Sequence, residues 1–155
     1  FLSRGVGTAM ALDEAIHSLI EARCEMALVG GADAADHPLS QAESHRAGQA
    51  PGAEGAAVFA LQPNGALATV SAPQFDNVLD ALAPTVVLAG PISPREVAGQ
   101  RVTRIIRITA AERLACGPAF VWALALQLVR DGAAQVSTLY QAEGEPPFRV
   151  DWSRP

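Results

Sequence analysis

The sequence contains no lysine, and all of its positive charge comes from arginine. A Schiff-base mechanism and a phosphate-binding P-loop both need a lysine amine, so both are excluded. The net charge is −5, whereas nucleic-acid binding needs positive charge clustered on one face. Arg101, Arg104 and Arg107 come nearest to such a cluster, but they lie in an apolar run and are predicted to line a strand edge or a solvated strand face. We therefore expect no nucleic-acid partner.

Cysteine and histidine are also scarce. Cys24 and Cys116 are too few for a disulfide framework and show no zinc-binding spacing, which favours a reduced, cytoplasmic protein. Among the histidines, His17 lies off the apolar stripe of its predicted helix, while His37 and His45 lie in a polar stretch. With Asp33, Asp36 and Glu43 these two could form a metal site, but the spacing is not that of structural zinc. A solvated loop is the favoured interpretation, and we expect no metal and no cofactor.

Long apolar runs are absent: no window approaches 18 uninterrupted apolar residues, so no transmembrane helix is predicted. Half of the residues are hydrophobic and 17% are charged, which excludes a disordered chain. A chain of 155 residues can bury one sizeable core, so a single domain over 1–155 is expected. The sequence begins at Phe1 without a methionine, which leaves open a further N-terminal segment.

Strand and helix patterns alternate along the chain. Residues 8–23 carry apolar side chains at three- and four-residue steps and predict a helix. The run that starts at Met26 predicts a strand buried on both faces, because its apolar residues do not alternate with polar ones. Residues 33–52 predict a polar loop. A strand is predicted over residues 56–61, and Asn64-Gly65 predicts that residues 66–72 pair with it as a hairpin.

The second half continues this alternation. Residues 75–82 predict a short helix, residues 85–88 a buried strand, and Ser93-Pro94 the start of another helix. Residues 102–108, 136–140 and 148–152 predict strands. A long, largely buried helix is predicted from Thr109 to Arg130, with a stop at Asp131-Gly132. The pattern indicates an α/β layered domain.

A helix followed by a strand ending in Gly30-Gly31-Ala32-Asp33, and then by Glu54-Gly55 and a second strand, resembles the middle of a β-ketoacyl synthase. These enzymes belong to the thiolase-like condensing enzymes. The resemblance covers residues 1–61 with good specificity and residues 105–140 with weak specificity. It implies a shortened, thiolase-like layered α-β-α fold and a role in fatty-acid or polyketide biosynthesis.

The resemblance also implies where the reactive groups of the family should lie. Counted from Gly30-Gly31-Ala32-Asp33, the nucleophilic cysteine position falls on Gly5. The two histidine positions fall on Ala89 and Glu112, and the family lysine falls on Arg107. The three positions that need a cysteine and two histidines do not hold them. No catalytic residue of the family is therefore kept.

The resulting expectation is a non-catalytic, chain-length-factor-like member that pairs with an active condensing enzyme and shapes its acyl pocket. It implies a dimer, either a homodimer or a heterodimer with that enzyme, and an acyl-carrier protein as a further partner. One alternative is an active acyltransferase or 3-oxoacyl synthase-like enzyme that uses Ser3 or Cys116 as a nucleophile. Another alternative is a structural dimer subunit that binds no acyl group.

Overall fold

The fold was determined as a computed structural model, which describes residues 5–33, 42, 45–46, 55–64, 67–98, 101–109, 111 and 116–155. Its main elements follow the alternation of strand and helix patterns in the sequence. In chain order they are α1 (Val6–Ile20), β1 (Ala27–Asp33), β2 (Gly55–Leu61), β3 (Thr69–Val70), β4 (Thr85–Ala89), α2 (Pro94–Ala98), β5 (Arg104–Arg107), α3 (Gly117–Arg130), β6 (Gln135–Tyr140) and β7 (Phe148–Ser153).

The strands form two separate sheets. Strands β1 and β2 pair antiparallel with each other, from Ala27 opposite Leu61 to Asp33 opposite Gly55. The other strands form a mixed five-stranded sheet in the order β3-β7-β6-β4-β5. Strand β4 is parallel to β5 and β6, whereas β7 is antiparallel to β6 and β3. Residues 141–147 connect β6 to β7, which are antiparallel.

Helix α3 lies between the two sheets and contacts strands of both. Phe59 of the small sheet, Trp122 of α3 and Trp152 of the large sheet form one aromatic cluster, with ring centroids 6.1–6.5 Å apart. Trp122 and Trp152 are almost fully buried. Helix α1 packs on β1 beside α3. The main core is therefore a helical layer enclosed by two sheets.

This layer order corrects the expected thiolase-like α-β-α fold, which is wrong for this structure. An α-β-α arrangement has one sheet between two helical layers. Here α3 and α2 cover opposite faces of the large sheet, but a second sheet, β1–β2, lies on the other side of α3 and is not hydrogen-bonded to the first. The reason is the pairing of β2, which bonds only to β1 among the described strands. Local patterns predicted the strands but not which strands would become neighbours.

The two faces of the small sheet differ, which corrects the prediction that the strand after Met26 is buried on both sides. Val29 and Phe59 point into the core, but Leu28 is 69% exposed and Val58 is 64% exposed. The residues that point outward are all apolar, so the sequence shows no alternation although only one face is buried. They are Met26, Leu28, Ala32, Ala56, Val58 and Ala60.

Two further local predictions are wrong. In the segment predicted to pair with β2, the described residues 67–72 do not do so; instead, Thr69 and Val70 pair with Ser153 and Trp152 of β7. Residues 75–82 form turns rather than a helix, because Asn77 and Ala81 have φ values of 51° and 52°. The guanidinium group of Arg149 donates to backbone carbonyls of this turn, at Val78 and Asp80. A contact distant in sequence therefore replaces the local helical period.

The strands predicted at residues 56–61, 85–88, 102–108, 136–140 and 148–152 are confirmed within one or two residues at each end, whereas the strand predicted from Met26 continues through Gly30 and Gly31 to Asp33. Helix α2 begins as predicted at Ser93-Pro94, and the Glu96 carboxylate accepts the Ser93 N–H at 3.0 Å. The long helix begins at Gly117 rather than Thr109, and residues 112–115 lie outside the described part. Strand β5 is the edge of its sheet, and Arg104 and Arg107 are exposed there, as predicted.

Candidate functional site

The N-terminus of α1 is bound by a carboxylate of the same chain. Gly5 directly precedes the helix, and the backbone N–H groups of Gly5 and Val6 donate to Glu145 Oε2 at 2.8 and 3.0 Å. A helix N-terminus carries free N–H groups and partial positive charge, and therefore favours an anion. Glu145 lies in the β6–β7 connection. The Glu145 carboxylate thus occupies the position at the N-terminus of α1 where an anionic ligand or a thiolate could otherwise bind.

Tyr140 fills the space beside this helix end. Its side chain is buried, and a Cβ atom added to Gly5 would lie 2.3 Å from Tyr140 Cε1. The tyrosine hydroxyl donates to the Ala111 carbonyl at 3.4 Å, and a Cβ atom on Gly117 would lie 2.7 Å from the hydroxyl oxygen. The ring also packs on Phe148, with centroids 5.6 Å apart. The starts of α1 and α3 therefore enclose a tyrosine rather than a cavity.

The structure brings two of the positions implied by the family resemblance to this tyrosine. Gly5 touches its ring, and Ala89 is its register partner across β4 and β6. Glu112 and Ser3 lie outside the described residues. Gly5 has only a hydrogen and Ala89 only a methyl group, whereas thioester chemistry at these positions would need a thiol and an imidazole. The prediction that no family catalytic residue is kept stays a prediction.

Cys116, the other suggested nucleophile, is 2% exposed at the start of α3. Burial raises the pKa of its thiol, the negative charge of Asp33 raises it further, and a backbone hydrogen bond acts in the opposite direction. Its Sγ donates to the Gly55 carbonyl at 3.7 Å, and Gly31 packs against its Cβ. A nucleophile needs the thiolate and access to substrate. Both the burial and the raised pKa oppose this role.

The histidines do not form a site in the described part of the chain. His17 Nδ1 lies 2.9 Å from the Asp13 carbonyl on the exposed side of α1. His45 is exposed, whereas His37, Asp36 and Glu43 lie outside the described residues. No group of three or more potential metal ligands occurs among the residues that the structure describes. No helix in the same part of the chain is long and apolar enough to cross a bilayer.

Sequence reasoning missed a polar groove on the outer face of the large sheet. The cavity has a volume of about 390 Å³ and is bounded by β3, β6, β7 and the turn at residues 81–83. Ser137 Oγ donates to Asp151 Oδ1 at 2.6 Å, and Arg149 Nε lies 3.1 Å from Asp151 Oδ2. Alternation in β7 could have indicated it, because Arg149, Asp151 and Ser153 follow one another at steps of two.

Comparison with known proteins gives a likeness to a solved structure. Neither a protein-family model nor a curated protein matches the chain. The fold is similar to a chain in the AntDE:AntF (apo) structure, described as a type II PKS acyl-carrier protein in complex with its ketosynthase bound to the hexaketide. The TM-score is 0.70 at 14% identity, and the match covers 99% of this chain and 57% of the other. At this identity the likeness concerns the fold.

These comparisons correct the family identification made from the sequence. No condensing-enzyme family model matches, and the similar structure is described as that of an acyl-carrier protein in complex with its ketosynthase. The identification as a β-ketoacyl synthase-like, thiolase-like member is therefore contradicted. The Gly30-Gly31-Ala32-Asp33 motif misled because its glycines have a packing role here. A Cβ atom on Gly30 would lie 2.1 Å from the Ala57 carbonyl oxygen of the paired strand.

Proposed function

We propose that this chain is a non-catalytic component of a polyketide-synthesis assembly and acts by binding a condensing enzyme. The observation that carries the proposal is the likeness of nearly the whole chain to part of an acyl-carrier protein and ketosynthase complex. The chain spans 57% of the matched chain, so the activity and partners of that protein come to this one only as a proposal. Two features of the structure agree with a binding role rather than a catalytic one.

The first feature is the internal closure of the α1 N-terminus. The Glu145 carboxylate accepts hydrogen bonds from the N–H groups of Gly5 and Val6, and Tyr140 occupies the adjoining space. An acyl group could reach this helix end only if both side chains moved. Because the tyrosine is buried and packed on Phe148, its displacement would expose a large aromatic surface to water. This arrangement supports the proposal that no acyl group is covalently bound at the N-terminus of α1.

The second feature is the outer β1–β2 face, defined by Met26, Leu28, Val58 and the alanines between them. This face carries no charged side chain, and its three larger residues are 57–69% exposed. A two-stranded sheet is marginal by itself and gains stability when its faces are covered. Contiguous exposed apolar surface marks interaction sites on soluble proteins. We propose that this face binds the condensing enzyme.

Co-expression with the condensing enzymes of the same organism tests the proposal. A tagged chain should co-purify with such an enzyme in a defined ratio, and Leu28→Glu with Val58→Glu should reduce recovery at least tenfold. Leu67→Glu is the matched control, because Leu67 is 72% exposed outside this face and its substitution should leave recovery unchanged. Equal recovery of all three proteins, or no recovery of any enzyme, would contradict the proposal.

The outer β1–β2 face would also suit a homodimer, in which two copies of this chain bind each other. Sedimentation equilibrium of the chain alone distinguishes the two assemblies. A monomer that becomes a heterodimer on addition of the enzyme supports the proposal in its stated form. A dimer that Leu28→Glu converts to a monomer would instead assign the face to self-association.

A second candidate function is that of an acyl carrier, which the description of the similar structure favours. A carrier must bear a phosphopantetheine arm on an accessible serine hydroxyl. On helix α1, Ser18 is half-buried and its Oγ donates to Glu14 at 3.3 Å, so this hydroxyl is already engaged. Intact mass measured after incubation with coenzyme A and a phosphopantetheinyl transferase decides the matter. An unchanged mass supports the binding role, and one added arm would establish the carrier role.

A further inference from the structure

The outer face of the large sheet is divided into an apolar half and a polar half. Val86, Leu88 and Leu139 of β4 and β6 pack under α2 and the residues around Val78. The neighbouring outward positions, on β6, β7 and β3, instead carry hydroxyl, amide and carboxylate groups and line the groove of about 390 Å³. Ligand pockets in proteins commonly have volumes of about 300–1,000 Å³. The groove is therefore large enough for a small organic molecule.

The polar groups of the groove are held in fixed positions. Ser137 is fully buried, accepts the Ala83 N–H at 2.9 Å and donates to Asp151 at 2.6 Å. The Asp151 N–H donates to Ser71 Oγ at 2.9 Å, and Thr69 Oγ1 lies 2.6 Å from Ser153 Oγ. Such bonds fix the rotamers of the lining before any ligand arrives, which lowers the entropic cost of binding.

The charge of the groove restricts the class of ligand. Asp151 is the one charged residue among the described residues of the lining. Arg149, two residues before it on the same face of β7, pairs with it and has its side chain 8% exposed, whereas 36% of the Asp151 side chain remains accessible. An anionic ligand would face this carboxylate with no cation in the lining to bind it. A neutral ligand with hydroxyl or amide N–H groups finds carboxylate, hydroxyl and carbonyl acceptors.

We infer that the groove binds a neutral molecule rich in hydrogen-bond donors, and that pantetheine represents this class. The choice of pantetheine rests on the proposed function, because acyl groups in carrier-dependent synthesis travel on this arm. Its amide N–H and hydroxyl groups can donate hydrogen bonds to the acceptor atoms of the groove. The groove lies on the face of the large sheet opposite the aromatic core, so occupation would not require Tyr140 to move.

Isothermal titration of the full chain with pantetheine and with 4′-phosphopantetheine tests the inference. The two probes share the same amide groups and differ by a phosphate. We expect saturable binding of pantetheine and at least threefold weaker binding of the phosphorylated form, because the phosphate would lie near the Asp151 carboxylate. Stronger binding of the phosphorylated probe, or no binding of pantetheine at millimolar concentration, would overturn the inference.

Two substitutions in the groove lining test whether pantetheine binds there, and they leave Arg149 and its bonding partners unchanged. Gln135→Ala removes an amide from the groove, and one lost hydrogen bond should weaken pantetheine binding by about two- to tenfold. Gln127→Ala is its control, because Gln127 is exposed on α3 away from the groove and bonds to Asp131. Ser153→Leu should fill the groove and abolish binding. Undiminished binding in both groove variants would place the ligand elsewhere and overturn the inference.

These outcomes are independent of the test of the proposed function. Enzyme recovery depends on Leu28 and Val58, which lie on the other sheet, whereas pantetheine binding depends on Gln135 and Ser153. If the enzyme co-purifies and pantetheine does not bind, only the groove assignment fails. If pantetheine binds and no enzyme co-purifies, the groove stands and the assembly proposal fails.

Discussion

Replacement of Gly5 by alanine is expected to destabilise the protein, although this residue has an ordinary helical backbone. Its φ and ψ angles are −93° and −45°, which any residue adopts without strain. In open space the substitution would stabilise the fold by about 0.4–1 kcal/mol, because it restricts the unfolded chain. The sign of the measured effect therefore reports what surrounds the new methyl group.

The structure places that methyl group against Tyr140. The added Cβ would lie 2.3 Å from Cε1 and 2.9 Å from Cδ1 of the ring, closer than atoms in contact can approach. The ring is buried and packed on Phe148, so relief requires a shift of the core. Overpacking of this kind costs about 1–3 kcal/mol. After the backbone gain is subtracted, we expect a net loss of about 1–2 kcal/mol.

A double-mutant cycle with Tyr140→Leu isolates this contact. Urea unfolding followed by tryptophan fluorescence gives the free energy of unfolding of each variant. Removal of the ring should itself destabilise the fold, but Gly5→Ala should then become neutral or stabilising. The coupling energy should therefore be about 1 kcal/mol or more. Gly144→Ala serves as control: no atom lies within 4 Å of its added Cβ and its φ is 76°, so its cost is conformational and independent of Tyr140.

Two results would refute the reasoning. Stabilisation of the parent protein by Gly5→Ala would show that the helix end is open, and would reopen the question of a ligand at this position. Equal destabilisation with and without the tyrosine ring would show that another group causes the loss.

Glu145, Cys116 and Trp122 give three further predictions. Glu145→Gln should lower the free energy of unfolding by about 1 kcal/mol, because it removes the charge that binds the helix N–H groups; an unchanged unfolding midpoint would argue against this role. The raised pKa of Cys116 means that the unfolded chain loses the thiol proton first. The contribution of the buried neutral thiol to the free energy of unfolding is therefore complete below the ordinary thiol pKa, about 8.5, and is lost at higher pH. Stability between pH 8 and 10 should fall more steeply in the parent than in Cys116→Ala, and parallel curves would contradict the shift. Trp122→Ala should cost about 3–5 kcal/mol by urea unfolding, and more than Leu124→Ala, because Trp122 is 1% exposed and Leu124 is only partly buried; the reverse order would mean that α3 is rotated.

The candidate site shows what local patterns can and cannot predict. The family resemblance placed Gly5 at the nucleophile position, and no fold is needed to see that glycine lacks a thiol. Its neighbours Tyr140 and Glu145 lie about 140 residues away in the chain. No periodicity links positions so far apart, so the closure of the helix end could not be anticipated. The groove around Asp151 was missed for the same reason, because β3, β6 and β7 meet only in the folded sheet.

The sequence alone determined most of the strands, the start of α2 and the end of α3, because these depend on local side-chain periods and on Pro and Gly signals. It also determined that no lysine chemistry is available. Only the tertiary structure decided that β2 pairs with β1, that α3 lies between two sheets, and that residues 75–82 turn under Arg149. Strand neighbours are chosen by the burial of complementary faces and by hydrogen bonds between distant residues, and neither is written in a local pattern.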